Sequence, residues 1–126
     1  MTMVTSLDEF MREYERCTNT HRFEMVAPLI DADAVYWFTD GSFRGRAAIR
    51  DAFERTWAVI QDETYHISNV EWLIQCTDSA ACIYTFHWQG RVGGAIRQVT
   101  GRGTCMLRRD GNRWVVVHEH LSRFPE

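Results

Sequence analysis

The sequence contains no lysine: all 14 of its basic residues are arginine. Chemistry that runs through a lysine amine, such as a Schiff base or the lysine of a phosphate loop, is therefore excluded. No apolar run approaches the roughly 20 residues that a membrane span needs. The opening Met1 to Ser6 has neither the basic stretch nor the apolar core of a secretory signal, so a cytoplasmic protein with no membrane partner is expected. The four cysteines, Cys17, Cys76, Cys82 and Cys105, lack C-x-x-C spacing. They read as small core hydrophobes instead of a disulfide framework or zinc ribbon. A formal charge of -3 with arginines scattered among acidic neighbours excludes a general nucleic-acid binder.

What remains is a chain of 126 residues, 45% hydrophobic and 13% aromatic, which suits one folded domain over 1–126. No internal repeat, linker or low-complexity segment divides it, and loose ends are expected only at about 1–4 and 124–126. Ser6 and Glu9 fit a capping box ahead of apolar positions Leu7, Phe10, Met11, Tyr14 and Cys17, which predicts a helix near 6–18. Phe23, Val26, Ala27 and Ile30 predict a short second helix, ended near Ile30 by Pro28. The β-branched and aromatic run Val35 to Thr39, closed by Asp40-Gly41, predicts a strand. Ile49, Ala52, Phe53, Trp57 and Ile60 form one stripe of a third helix over 45–60, with Arg50–Glu54 and Asp51–Arg55 as pairs on its outer face. Strands are predicted near 64–76, 80–90, 95–108 and 113–122, joined by hairpin turns. The class is α+β, in the order α-α-β-α-β-β-β-β, with three N-terminal helices on a strongly curved, mainly antiparallel sheet.

His118-Glu119-His120 is the densest polar cluster in an otherwise apolar strand. Regular alternation puts His118 and His120 with Trp114 and Val116, and Glu119 with Val115, Val117 and Leu121. One set must be largely buried, in a cavity or a subunit interface. Burial raises a carboxyl pKa and lowers that of an imidazole, so either set suits acid/base work; a hydrogen-bonded structural network is the other reading. Two histidines alone do not complete a metal shell, and no metal is expected. Arg102 lies between Gly101 and Gly103, whose missing side chains allow close approach of another element. Pointing inward, Arg102 would need an anion, from Glu119, Asp40 or a ligand; pointing outward it is an ordinary surface arginine. Tyr14, Tyr36, Trp37, Trp57, Trp72, Tyr84 and Trp88 are enough aromatic surface to line a cavity for a flat apolar ligand.

The stretch Gly101-Arg102-Gly103-Thr104 to Leu107-Arg108-Arg109-Asp110-Gly111, followed by Trp114 to Ser122, resembles the closing hairpin of the nuclear-transport-factor-2-like superfamily, in its SnoaL-like branch. Phe43-Arg44-Gly45-Arg46 leading to Ile49 resembles it too. The resemblance implies a cone-shaped cavity between helices and bent sheet. It implies a family of ketosteroid isomerases, polyketide cyclases, dehydratases and the association domain of calmodulin-dependent kinase II. The isomerase branch uses a helix-one tyrosine with two cavity carboxylates; Tyr14 and Asp40 match the tyrosine and one acid, while Thr104 and Cys105 stand where the second acid is sought.

These readings lead to a small-molecule pocket protein, working without a cofactor by acid/base catalysis on an apolar carbonyl compound. His118, Glu119, Asp40 and Tyr14 are the catalytic candidates, and Arg102, His120, Trp37, Trp57 and Trp88 the ligand-binding ones. The alternative is a non-catalytic binding or oligomerisation module like the kinase association domain. The expected ligand is aromatic or polycyclic. Apolar residues on both faces of the strands predict a homodimer or larger assembly.

Overall fold

The computed structural model describes residues 6–125, so the expectation for residues 1–4 lies outside it. Helix α1 (Leu7–Thr18) starts where Ser6 Oγ accepts the Glu9 backbone N–H at 3.1 Å, and it buries Phe10, Met11, Tyr14 and Cys17. Helix α2 (Phe23–Val26) tightens into a 3-10 turn over Ala27–Leu29, where Pro28 has no N–H to continue the helical ladder. Strand β1 (Ile30–Phe38) folds back at Asp40 into a short strand β2 (Gly41–Arg44). The sequence pattern gave no sign of β2, and β1 begins five residues earlier than expected because Asp31 and Asp33 mask its alternation. Helix α3 (Arg46–Val59) follows, burying Ile49, Ala52 and Phe53.

Four long strands complete the chain: β3 (Gln61–Gln75), β4 (Ser79–Val92), β5 (Ala95–Asp110) and β6 (Arg113–Arg123). The six strands form one sheet in the order β2-β1-β6-β5-β4-β3, antiparallel except for the parallel pair β1–β6. Helices and the inner sheet face share one core that includes Tyr14, Val26, Ile30, Tyr36, Ile49, Cys82, Cys105 and Val116. Cys17, Cys82 and Cys105 are buried in that core as expected; Cys76 is exposed, since it sits at the turn after β3 where the sheet ends.

One irregularity decides which side chains face inward. Met106 pairs with His118 while its neighbour Leu107 pairs with Val116, so Val117 is an extra residue on β6, a β-bulge. A bulge of one residue exchanges the faces of everything beyond it. Trp114 and Val116 therefore lie in the core on one side of the bulge, and Glu119 is buried on that same face on the other side. The regular alternation expected for 114–121 is thereby corrected: Glu119, not the histidines, shares the face of Trp114 and Val116.

The sheet's outer edge, β3, is closed by side chains of α1 and the residues that follow it. Asn19 grips Tyr65 at both ends, donating Nδ2–H to its carbonyl and accepting its N–H on Oδ1, each at 2.8 Å. Glu15 Oε1 accepts the Ile67 N–H at 2.6 Å, and His21 Nε2–H donates to the Glu63 carbonyl at 2.8 Å. Three side chains thus satisfy backbone groups that a neighbouring strand would otherwise take.

Candidate active site

A cavity of about 410 Å³ opens between α1, α3 and the inner face of the sheet. Its walls are apolar, with Phe38, Phe53, Trp57, Phe86, Trp88 and Leu121 among them. Its buried floor holds two carboxylates, Glu119 and Glu63, and two phenols, Tyr14 and Tyr65.

Glu119 is 2% exposed and sits in a network of tyrosines. Tyr14 donates its hydroxyl to Oε1 at 3.1 Å, Tyr84 donates to Oε2 at 2.5 Å, and Tyr36 lies 2.7 Å from the Tyr14 hydroxyl. With Tyr14 donating to the carboxylate, Tyr36 supplies the hydrogen between the two phenols, so the order is Tyr36 to Tyr14 to Glu119, with Tyr84 from the other side. The two glycines of β5 make this possible. A Cβ on Gly103 would stand 2.6 Å from Tyr84 Cζ, and one on Gly101 would stand 2.6 Å from Phe86 Cε1. The close approach expected from these missing side chains is that of the Tyr84 and Phe86 rings on the neighbouring strand β4.

Burial pushes the Glu119 carboxyl up to about 7, against the pull of its hydrogen bonds from Tyr84 and Tyr14. The phenols of Tyr14, Tyr36, Tyr65 and Tyr84 are held well above their ordinary value, first by burial and then by the neighbouring Glu119 charge. Glu63, 7% exposed, is also raised to about 7, by burial alone. Among the described residues no side chain offsets that burial, so its carboxylate is the unengaged acid of the cavity. The Tyr65 hydroxyl, two residues further along β3, is buried with no hydrogen-bond partner among the described residues. A buried hydroxyl without a partner is uncommon, and it leaves Tyr65 with a free donor beside the cavity.

Of the site residues expected from the sequence, Tyr14, Glu119, Asp40, Trp57 and Trp88 line this cavity. Asp40 is exposed at its rim, in the turn between β1 and β2. The others lie on the opposite face of the sheet. His118 donates Nδ1–H to the Val35 carbonyl at 2.7 Å, and its ring meets Trp37 edge-on at 5.0 Å. His120 packs against the same Trp37 at 5.5 Å. Arg102 is exposed and lies over the Phe124 ring at 5.9 Å, the ordinary surface placement. The bulge at Val117 is the physical reason for the separation, since it turns His118 and His120 outward when it turns Glu119 inward. Glu63 was missed because β3 was read as starting at 64, and Tyr65, inside that strand, was not among the aromatic residues singled out. Extended back to Gln61, the alternation Glu63, Tyr65, Ile67 marks one inward face.

Among the described residues no helix is long and apolar enough to cross a membrane. No curated protein matches the sequence. Solved structures do. A protein of Xanthomonas campestris provisionally named a calcium/calmodulin-dependent protein kinase II association domain is 18% identical with a TM-score of 0.83, covering 99% of this chain and 96% of its own. A nuclear transport factor 2-like superfamily protein of Salmonella enterica is 17% identical with a TM-score of 0.85, covering 94% and 88%. A Novosphingobium aromaticivorans protein provisionally named a scytalone dehydratase is 15% identical with a TM-score of 0.84, covering 94% and 82%. At such identities these likenesses establish the fold. The family follows from the sequence itself: residues 11–117 match the model of the SnoaL-like domain, and the chain belongs to that family.

Proposed function

We propose that the protein is a cofactor-independent acid/base enzyme of the isomerase, cyclase or dehydratase type, acting on a compact aromatic or polycyclic carbonyl compound. The observation that carries this reading is the partnerless Tyr65 hydroxyl in a cavity that also holds the unengaged Glu63 carboxylate. A group titrating near 7 is poised both to accept and to return a proton at neutral pH. Glu63 removes a proton from the carbon beside the substrate carbonyl. The electron pair moves onto the carbonyl oxygen, which accepts a hydrogen bond from Tyr65 as its negative charge grows. Glu63 then returns the proton, to another carbon in an isomerisation or to a departing hydroxyl in a dehydration. Glu119, locked by Tyr14 and Tyr84, shapes the polar floor, and Trp57 and Trp88 form apolar walls for the ring system.

The test is exchange of the acidic carbon-bound protons of β-tetralone in heavy water, followed by NMR. The wild type accelerates exchange over buffer, and Glu63→Gln lowers the acceleration by about a thousandfold, within the usual range for a positioned base. Tyr65→Phe lowers it by about a hundredfold, as for loss of one oxyanion donor. A wild type no faster than buffer would favour the non-catalytic module instead.

The outer face of the sheet supports a separate proposal about assembly. Trp37 on β1, Ile83 on β4 and Met106 on β5 are 46%, 37% and 45% exposed there, on a face that no helix covers among the described residues. Exposed apolar side chains of this size on one sheet face suit a second copy of the chain. Light scattering at micromolar concentration is expected to give a homodimer or larger assembly; a monomer would overturn it.

A further inference from the structure

The cavity is polarised from floor to rim. Its buried end carries Glu63 and Glu119, and its exposed end carries two guanidiniums, Arg55 from α3 and Arg123 from the end of β6. Each reaches the rim for a definite reason. Arg123 follows Glu119 and Leu121 on the inward face set by the bulge at Val117. Arg55 is one turn beyond Asp51, the partner expected from helical spacing, yet the pair does not form. Its guanidinium lies instead over the Phe43 ring, 5.6 Å from the centroid. Among the described residues no carboxylate comes within 4.0 Å of either arginine, although Asp40 lines the same rim. The other arginine with helical spacing on α3, Arg50, does take its partner, Glu54, at 3.3 Å. Two guanidiniums against one carboxylate leave the rim cationic and its donors free for a planar anion.

From this the geometry points to an amphiphilic anion as the substrate class: an apolar ring body with a carboxylate held at the rim by Arg55 and Arg123, its reacting carbonyl directed to the floor. This deepens the acid/base reading and rests on it only for the carbonyl end. The acidic floor repels a second negative charge, so the polarity of the cavity also fixes which end of the ligand enters first.

Calorimetric titration of the full chain with β-naphthylacetate and with its neutral amide tests the inference, because the two ligands share a shape and differ in charge. The carboxylate is expected to bind at least about tenfold more tightly than the amide, a difference of about 1.4 kcal/mol, and to lose that advantage in high salt. The paired substitutions Arg55→Gln and Arg123→Gln are expected to remove the preference while leaving the amide affinity within about twofold, since they delete charge at the rim and not the apolar walls. An amide that binds as tightly as the carboxylate, a preference that survives both substitutions, or no binding of either ligand would overturn the inference. These measurements involve no turnover. Exchange of β-tetralone protons without a carboxylate preference would sink the anion site and spare the acid/base reading, and the reverse result would do the opposite.

Discussion

His118, Glu119 and His120 are adjacent in sequence and end in opposite environments. Glu119 faces the cavity, where burial favours its protonated form against the hydrogen bonds of Tyr14 and Tyr84, while His118 and His120 lie on the outer sheet face against Trp37. The contrast teaches that a polar cluster has no chemistry of its own until the sheet assigns its faces. On the inner face desolvation dominates and carboxyls hold their protons to near neutrality; on the outer face the same strand offers packing and surface hydrogen bonds.

The strongest way to sharpen this comparison is pH. In the unfolded chain both cavity carboxyls titrate near 4.5, and in the folded protein near 7. The folded state therefore holds these protons longer. Their contribution is fully present below about pH 4.5, falls as pH rises toward 7, and is flat above it. The gap corresponds to about 3 kcal/mol for each group. Urea midpoints should fall across that window, and Glu63→Gln should remove its share of the fall. A stability flat from pH 4.5 to 7 would place both carboxyls in contact with water.

A smaller effect, about 2 kcal/mol, is expected for Gly103→Ala, because the new Cβ displaces the ring whose hydroxyl holds Glu119. Thermal unfolding measures it. Asn19→Ala should cost about 1–2 kcal/mol by leaving both backbone groups of Tyr65 without their partners. Faster amide hydrogen exchange at Tyr65 would accompany the loss, and an unchanged rate would mean that the amide is protected without the clamp. The smallest effects belong to the outer face: His118→Asn gives up one hydrogen bond for about 1 kcal/mol or less, and His120→Asn shifts stability by less than about 0.5 kcal/mol. If the histidine substitutions proved the more damaging set, the assignment of faces would be wrong.

Much of the architecture was legible because its signals are periodic. Ser6 with Glu9, the apolar stripe of α3, and the turn chemistry between the long strands each act over a few residues, and the structure follows them closely. The short β2 escaped because four residues are too few to show a period. The site was legible only in part. Tyr14 and Glu119 stood out as polar groups in apolar surroundings, but Glu63 is concealed in the polar run Gln61-Asp62-Glu63, which reads as a loop. Asp62 does turn the chain there, with a positive φ of 54°, and the strand has already begun around it. The bulge escaped for a different reason. Val115, Val116 and Val117 are interchangeable to any pattern based on polarity, so nothing in the sequence tells which of them is the extra residue; only pairing with β5 reveals it.

The grip of Glu15, Asn19 and His21 on β3 reaches beyond the site that it steadies. A sheet edge with open amides is where foreign strands attach and where fibrils begin to grow. Here the Glu63 carbonyl, both backbone groups of Tyr65 and the Ile67 amide are already taken by side chains of α1 and the residues after it, and the opposite edge is the four-residue β2. Strand addition is obstructed over 63–67 of the longer border and has little to template on at the shorter one. The same side chains that steady the cavity therefore disfavour edge-to-edge growth, leaving the open outer face as the surface for the pairing proposed above.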